Sequence, residues 1–437
     1  MSMAPHARLL LESDGEQVPL RTLRDAHVDR DGTVHSGHAR RRSAGNTVVE
    51  EAFAVTPDVQ GLHRWLDKHR DQLLDDVLTL VRHETPSSDQ ELLAQALAWL
   101  DRWVTTSLGE SPHRSRTENA LRFDYPGTGP APVVLLCHYD TVWPAGTLAE
   151  WPATVTGDRA SGPGIFDMKA GLVQAVWAVR ALAATGHDRP PIRLVLTGDE
   201  EVGSPASRPV IEQACADAAA VLVFEGSGPG GALKTGRKGV GLFDVTVTGR
   251  EAHAGLEPEM GASAVDELAR VTLALHALAD PATGTTLNVG LVEGGSAVNV
   301  VAGHARAHVD VRVASQAEAD RVDDALARLT PHDPRATLAV AGGWNRPVME
   351  RTPAIGELVA LAQAAAAQLG LDLPEVSVGG ASDGNFAAAL GIPVLDGLGA
   401  VGDGAHARHE HVSVAALAER AAIVAAVLTT FSNGQSI

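Results

Sequence analysis

Three short stretches of this chain are apolar almost without interruption, and each runs straight into side chains that bind metals or move protons. Val133-Val134-Leu135-Leu136 leads into Cys137-His138-Tyr139-Asp140. Ile192-Arg193-Leu194-Val195-Leu196 leads into Gly198-Asp199-Glu200-Glu201, and Ala220-Val221-Leu222-Val223-Phe224 into Glu225-Gly226. A strand open to solvent on one side alternates polar and apolar residues, whereas a strand without alternation must be covered on both faces, as in a parallel sheet between helical layers. In open sheets of that kind chemistry collects at the carboxyl ends of the strands, which is where these residues stand. The expected fold class is therefore α/β, with a mostly parallel central sheet.

Helical signals supply the covering layers. Leu62, Leu66, Leu73, Val77, Leu80 and Val81 recur at helical spacing after Thr56-Pro57-Asp58, where Thr is a good cap and Pro suits the first helical position. Further helices are expected from Asp89 to about Leu108, over 170–185 with Gly186 as its stop, over 353–369, and within 412–431. The character changes near Gly239. Residues 242–247 alternate like a half-exposed strand, a helix is expected over 262–279, and strands over 286–292 and 304–313. Ala305, Ala307, Val309, Val311 and Val313 share one face of the latter. A helix over 317–329 and a strand over 336–340 complete the order β-α-β-β-α-β, a ferredoxin-like split unit. An inserted domain is thus expected at 239–346, dividing a catalytic domain into 57–238 and 347–437. Residues 1–56 are polar and weakly patterned and are expected to form a poorly ordered N-terminal extension.

Bulk properties exclude several function classes. A chain of 437 residues can bury a full core and divide into two domains. A net charge of −19 argues against nucleic acid as a partner. No run approaches the roughly 18 apolar residues that span a bilayer, and Leu9-Leu10-Leu11 is too short for a secretory signal, so a cytoplasmic location with no membrane partner is expected. Cys137 and Cys215 lack a C-x-x-C partner, so a disulfide framework or thiolate metal site is not expected, and Cys137 is expected to be a small buried residue.

Two more segments join the strand ends, Gly164-Ile165-Phe166-Asp167-Met168-Lys169 and Gly404-Ala405-His406. Two His and three carboxylates are N/O donors that suit Zn²⁺, and Co²⁺ or Mn²⁺ also fit. His138 and Asp140 are two apart on an extended segment, so one can hold a metal while the other orients its imidazole. Glu200 and Glu201 are adjacent and point apart, so one can bind metal while its neighbour addresses a water. Singly, a His-x-Asp or a Glu-Glu pair is commonplace; it is their shared placement at strand ends that marks a site.

These segments resemble the dizinc metallopeptidase family that includes glutamate carboxypeptidase, acetylornithine deacetylase, succinyl-diaminopimelate desuccinylase and aminoacylase. The resemblance spans about 57–437, and the phrase from His138 to Leu148 is most similar to the glutamate carboxypeptidase branch. It implies two Zn²⁺ per subunit, one on His138 and Glu225, the other on Glu201 and His406, with Asp167 bridging both and a cis peptide to Met168. The pattern His-x-x-x-Glu-x-Val selects His406, with Glu410 and Val412, over His409 and His411. Asp140 joins the catalytic set, and Glu200 is implied as general base and then general acid for a water activated between the metals. Ala170 stands where many relatives have Gly.

The resemblance also implies a homodimer, in which His253 of Gly249-Arg250-Glu251-Ala252-His253-Ala254-Gly255 reaches the partner subunit's active site and helps hold an oxyanion. Asn299 and Arg346 match binders of a substrate carboxylate, for which the planar Arg fork is suited. The expected function is zinc-dependent release of a C-terminal amino acid, glutamate first among them, from a peptide or N-acyl conjugate. The alternatives are an N-acyl-amino-acid deacylase using the same metals and, more remotely, a zinc-binding scaffold without catalysis. The presence of Glu200 with all five ligands disfavours the scaffold.

Overall fold

The computed structural model describes residues 58–109 and 112–432, and an isolated antiparallel ladder between His27–Val28 and Val34–His35. Apart from that ladder, the expected N-terminal extension lies outside the described residues, as do Thr56 and Pro57.

The first helix, Val59–Lys68, is capped by Asp58, whose carboxylate accepts from Gly61 N at 2.7 Å. Asp58 is therefore the residue that caps this helix, satisfying one of its first free N–H groups. The helical spacing read across Leu62 to Val81 belongs to two helices, because His69 leaves helical geometry (φ −108°, ψ 15°) between Val59–Lys68 and Arg70–Val81. All six apolar positions are nonetheless fully buried. The next helix, Gln90–Leu108, is capped by Asp89 and stopped by Gly109 at φ 66°, close to the expected bounds.

The main sheet runs in the spatial order Val394–Leu395, Ala220–Val223, Val133–His138, Ile192–Thr197, Ala120–Tyr125, His113–Arg116. The first four strands are mutually parallel; Ala120–Tyr125 pairs antiparallel with Ile192–Thr197, and His113–Arg116 antiparallel with Ala120–Tyr125. The two antiparallel strands were not anticipated from the sequence. Every residue of Val133–His138 is buried, so both faces are covered. The helix Ala170–Thr185 packs on this strand, and Gly171 lets it approach the Phe224 carbonyl, where a Cβ would collide. The parallel register opposes His138 to Thr197 and Leu136 to Val223. Three strands thus finish side by side, and the residues just beyond them share one rim.

The chain from Val55 onward forms one compact unit with two separate apolar cores. The second core lies under an antiparallel sheet in the order Thr286–Gly294, His304–Val313, Gly239–Thr248, Thr337–Arg346, with helices Ala264–His276 and Gln316–Ala327. The observed element order is the expected β-α-β-β-α-β. His304–Val313 buries every second residue, including Ala305, Val309 and Val313. We propose that 239–346 is an inserted domain on the strength of this separate core.

Helix Val414–Ser432 is long and apolar enough to cross a membrane, with mean hydropathy 1.7, which corrects the expectation that no run comes near that length. It is 78% buried within the fold and packs against Val59–Lys68, Ala170–Thr185 and Pro353–Gln368, so its apolarity is that of a core helix.

Candidate metal centre

His138 ends its strand almost fully buried. Its Nδ1 lies 3.1 Å from the carbonyl oxygen of Asp140, so an Nδ1–H donating there leaves the Nε2 lone pair pointing outward. That Nε2 stands 3.1 Å from Asp167 Oδ1 and 3.5 Å from Glu225 Oε1. The other oxygen of Asp167 is 3.4 Å from His406 Nε2, and the same nitrogen is 3.0 Å from Glu201 Oε2. Asp167 therefore stands between two imidazoles, each completed by its own Glu. Donor atoms of His138, Asp167 and Glu201 all lie within 4.8 Å of one another.

Local structure explains how each side chain arrives. Asp167 sits in the wide turn Ile165–Lys169, entered through Gly164 at φ 71°, and its peptide bond to Met168 is cis. The fully buried carboxylate of Glu410 holds this turn, accepting from the N–H groups of Gly164 (3.0 Å), Phe166 (2.8 Å) and Asp167 (3.1 Å) and from Trp143 Nε1 (3.1 Å). The sequence reading noticed Glu410 only as part of a motif; its structural task is to fix the residue between the imidazoles. His406 projects from the connection between Gly402–Asp403 and His411–Ser413 with φ 61°, uncommon for a residue bearing a Cβ. His409 and His411 bond to neither Asp167 nor Glu201.

Asp140 is fully buried and serves the neighbouring turn as well as the imidazole. Its Oδ1 accepts from Glu200 N, its Oδ2 from Glu201 N, both at 3.2 Å, and Ser87 Oγ donates to Oδ2 at 2.7 Å. This anchor splits the Glu pair as expected: Glu201 turns to His406 and Glu200 turns to Arg346 Nη2, 3.2 Å away.

Arg346, to which the resemblance assigns a substrate carboxylate, is 3% exposed and bonded mainly within the chain. Nη1 donates to Gly203 O at 2.6 Å, and Nη2 to Ser204 Oγ at 2.8 Å and Asp383 Oδ1 at 3.0 Å as well as to Glu200. Its guanidinium also lies over the Phe386 ring. Asp383, buried and also bonded by Thr197 Oγ1 and Ser204 Oγ, draws the guanidinium away from solvent. In the sequence, an Asp followed by Gly-Asn-Phe gives no signal of these long-range partners.

His253 and Asn299 are brought together, but not to the cluster. Both are exposed, Ala254 N donates to Asn299 O at 2.9 Å, and His253 bridges to Val300. His253 Nδ1 accepts from Gly255 N and Leu256 N, each at 3.1 Å, which leaves the Nε2–H as a free donor.

The electrostatics are those of carboxylates and imidazoles forced into one space. Burial works against charge on His138, but Asp140, Asp167 and Glu225 raise its pKa well above the ordinary value. Asp167 and Glu201 push His406 up to about 10. Burial opposes ionisation of Asp167, yet His138 and His406 hold it well below the carboxylate range. Glu200 and Glu201 are both raised, mainly by burial. Glu201 Oε1 is buried without a hydrogen-bond donor. Crowded anionic donors, two convergent imidazoles and an unsatisfied carboxylate oxygen are what a divalent cation would satisfy. Cys137 is buried and free, with a thiol pushed well up by burial, and takes no part.

Residues 134–430 match the family described as peptidase family M20/M25/M40. The chain is 30% identical over 370 residues to carboxypeptidase G2 of Pseudomonas sp. (strain RS-16), covering 82% of this chain and 88% of that protein. It is 32% identical over 285 residues to a probable carboxypeptidase of Aspergillus terreus, covering 60% of this chain and 64% of that one. Its fold is similar to the M20 family metallo-carboxypeptidase Sso-CP2 of Sulfolobus solfataricus, with a TM-score of 0.62 and 18% identity over 83% of this chain and 99% of that one. Aminopeptidase PepT of Bacillus cereus gives a TM-score of 0.67 at 22% identity, over 83% and 98% of the two chains.

Proposed function

The chain belongs to peptidase family M20/M25/M40, and from that premise we propose that it is a zinc-dependent exopeptidase releasing a C-terminal amino acid, glutamate first among them, from a peptide or N-acyl conjugate. As a member of this family it is a metallohydrolase acting on peptide bonds and uses divalent metal. The observation that carries the finer reading is Asp167 held between two imidazoles, each paired with its own Glu, with Glu200 alongside.

His138 and Glu225 would hold one ion, His406 and Glu201 the other, and Asp167 would be shared. Bound there, two Zn²⁺ would acidify the attacking water and stabilise negative charge on the scissile carbonyl oxygen. The chain's own residues supply the rest. Asp140 orients His138 and, through two backbone N–H groups, fixes the turn that separates Glu200 from Glu201. Glu200 takes the proton of the attacking water and returns it to the leaving amine; its raised pKa suits a group that must do both. Arg346 holds the Glu200 carboxylate in place.

The same proposal includes a homodimer. The exposed His253 Nε2–H is a donor without an acceptor among the described residues, suited to an oxyanion in the site of a second chain, with Asn299 beside it for the substrate. The edge strand Thr286–Gly294 exposes Leu291 and Val292, at 68% and 63%, where a second copy can cover them.

Amino-acid release by the Zn²⁺-loaded protein tests the reading, on N-blocked dipeptides ending in Glu, Asp, Ala, Leu or Arg beside N-acetyl and N-succinyl amino acids. Chelator-sensitive release from Glu-terminated dipeptides supports it. Turnover of the small acyl amides alone would transfer the protein to the deacylases, and no turnover at all would leave a metal-binding scaffold.

A further inference from the structure

The two imidazoles of the site are held by unlike means. The His138 side chain is 2% exposed at the end of a strand buried on both faces, so packing fixes it. The His406 side chain is 53% exposed, in a connection between two short strands, and its φ of 61° is one that a residue bearing a Cβ adopts only under constraint. Many other backbone conformations are open to such a loop, and ordering it into the one that aims this imidazole at Asp167 and Glu201 costs entropy. Some anchor must offset that cost. Gly404 has no side chain, Ala405 and Ala407 are too short to reach a distant partner, and His406 itself faces the carboxylates. Arg408 is the remaining side chain of this stretch, and it is engaged.

The Arg408 guanidinium lies over two indole rings, 5.4 Å from the centre of Trp143 and 5.9 Å from that of Trp151. At both distances a cation is drawn to an aromatic face. The rings meet edge to face, 5.1 Å apart and inclined at 75°, and so form one corner. Arg408 Nη2 also meets Glu150 Oε2 at 3.3 Å, but those side chains are 54% and 74% exposed, and a pair so open to water contributes little. The rings therefore supply most of the hold. The corner is itself anchored. Trp143 Nε1 donates to the buried Glu410 carboxylate at 3.1 Å, and Trp151 follows the helix Thr147–Glu150 with its N–H on Thr147 O at 2.8 Å. Glu84 secures the start of that helix, accepting from Gly146 N at 2.8 Å and Leu148 N at 2.9 Å. Trp143 stands five residues past His138. The clamp thus ties the exposed loop of one imidazole to the well-packed segment of the other.

We propose that Arg408 is a positioning residue for one metal position only: clamped on Trp143 and Trp151, it holds the backbone of 404–408 so that the His406 imidazole meets Glu201 and Asp167. It acts through the loop, not on metal or substrate. The inference rests on the two-metal reading of the site for its consequence. The His138–Glu225 position belongs to the strand ends and does not depend on this loop, so loss of the clamp should be felt unequally at the two positions.

The test titrates the metal-free full chain with Zn²⁺ against a chromogenic chelator, which reads the two dissociation constants directly. His406→Ala identifies which constant belongs to the His406–Glu201 position. Arg408→Ala and Trp151→Leu should weaken that constant by about 5- to 30-fold, as loss of cation–π contacts at a half-exposed site implies, and leave the other within about 2-fold. Arg408→Lys keeps a cation and Trp151→Phe keeps a ring, so both should fall between these variants and wild type. Combining Arg408→Ala with Trp151→Leu should cost less than the sum of the two single losses, because both remove one shared contact. Unchanged constants, equal weakening of both, or strictly additive losses overturn the inference. Hydrogen–deuterium exchange of the metal-free chains tests the clamp without any ion. Amides of 404–410 should exchange about 5- to 30-fold faster in Arg408→Ala, and rates equal to wild type overturn the inference. A wild-type chain that takes up one ion whether or not His406 is present, with the exchange difference intact, would leave the clamp standing and overturn the two-metal reading instead.

Discussion

The rim of the parallel sheet and the loops of the four-stranded sheet both carry residues that the sequence marks for chemistry, but only the first set converges. His138, Asp167, Glu201, Glu225 and His406 stand within 3.0 to 3.5 Å of one another in successive pairs. His253 and Asn299 are exposed, on neighbouring segments joined by the His253–Val300 bridge and the bond from Ala254 N to Asn299 O. The difference follows from how each sheet is covered. A strand buried on both faces has its end fixed by packing, so a residue one step past it has little freedom. A sheet with one open face leaves its loops to be completed by something outside the chain. The first region is therefore a nearly finished site, and on the proposed dimer the second would be half of one.

The largest effects should come from the finished region. Glu200→Gln keeps the carbonyl that Arg346 can bond but removes the proton acceptor. Turnover should fall by about 10²- to 10⁴-fold with metal content unchanged, as read by steady-state kinetics beside elemental analysis. Near wild-type turnover would remove Glu200 from the mechanism. The next effect tests the other half. His253→Ala should lower kcat by about 10²- to 10³-fold, the cost of one oxyanion donor. If that histidine acts on the partner subunit, mixing His253→Ala with Glu200→Gln should restore about a quarter of wild-type activity, because half the dimers are hybrids with one intact site of two. Failure of the mixture to recover, with subunit exchange verified, would place His253 outside the partner's site and dissolve the contrast between the two regions.

A smaller effect is expected one step behind the metal-facing residues. Glu410 touches no imidazole, yet it holds three N–H groups of the Asp167 turn. Glu410→Gln can accept fewer of them and should weaken zinc affinity or activity by about 10- to 100-fold, measured by competition with a chromogenic chelator. A variant indistinguishable from wild type would mean that the turn is held by its own backbone.

The two regions also differ in how far the sequence discloses them. The carboxyl-end rim is legible because uninterrupted apolar runs can only be doubly covered strands, and their ends are given by the first polar residue. The β-α-β-β-α-β order is legible from alternation and helical spacing alone. What escapes is whatever depends on partners distant in sequence. Nothing around Arg346 announces Asp383, 37 positions on, or Ser204, 142 positions back, and those partners set the fork in a buried network. Nor does Glu410 announce the N–H groups it serves more than 240 positions away. Ala120–Tyr125 was missed because its mixed polar and apolar residues read as a connection, although the Ile192–Thr197 strand pairs with its whole length. His69 divides one helical pattern in two without changing which residues are buried.

The smallest expected effect concerns charge, where the regions behave oppositely. Burial raises Glu200 and Glu201 at the rim, and pushes Glu410 up to about 7. Beneath the four-stranded sheet, Glu318 on helix Gln316–Ala327 is instead pulled from its ordinary 4.5 down to about 2, chiefly by Arg321 and Thr285, with Thr283 assisting. A carboxyl held down in the folded state gives stability that is complete above its unfolded value near 4.5 and is lost as pH falls toward about 2, because the unfolded chain takes up the proton first. Glu318→Gln should therefore destabilise the protein slightly near neutral pH, by at most about 1 kcal/mol for a surface network of this kind. The difference from wild type should shrink as pH drops below about 4.5 and disappear near 2. Urea midpoints recorded across that range read it directly, and peptide turnover at neutral pH should not change. A difference that grew on acidification would mean that Glu318 is not held as a carboxylate by Arg321 and the two threonines, and that the four-stranded sheet shares the charge behaviour of the rim.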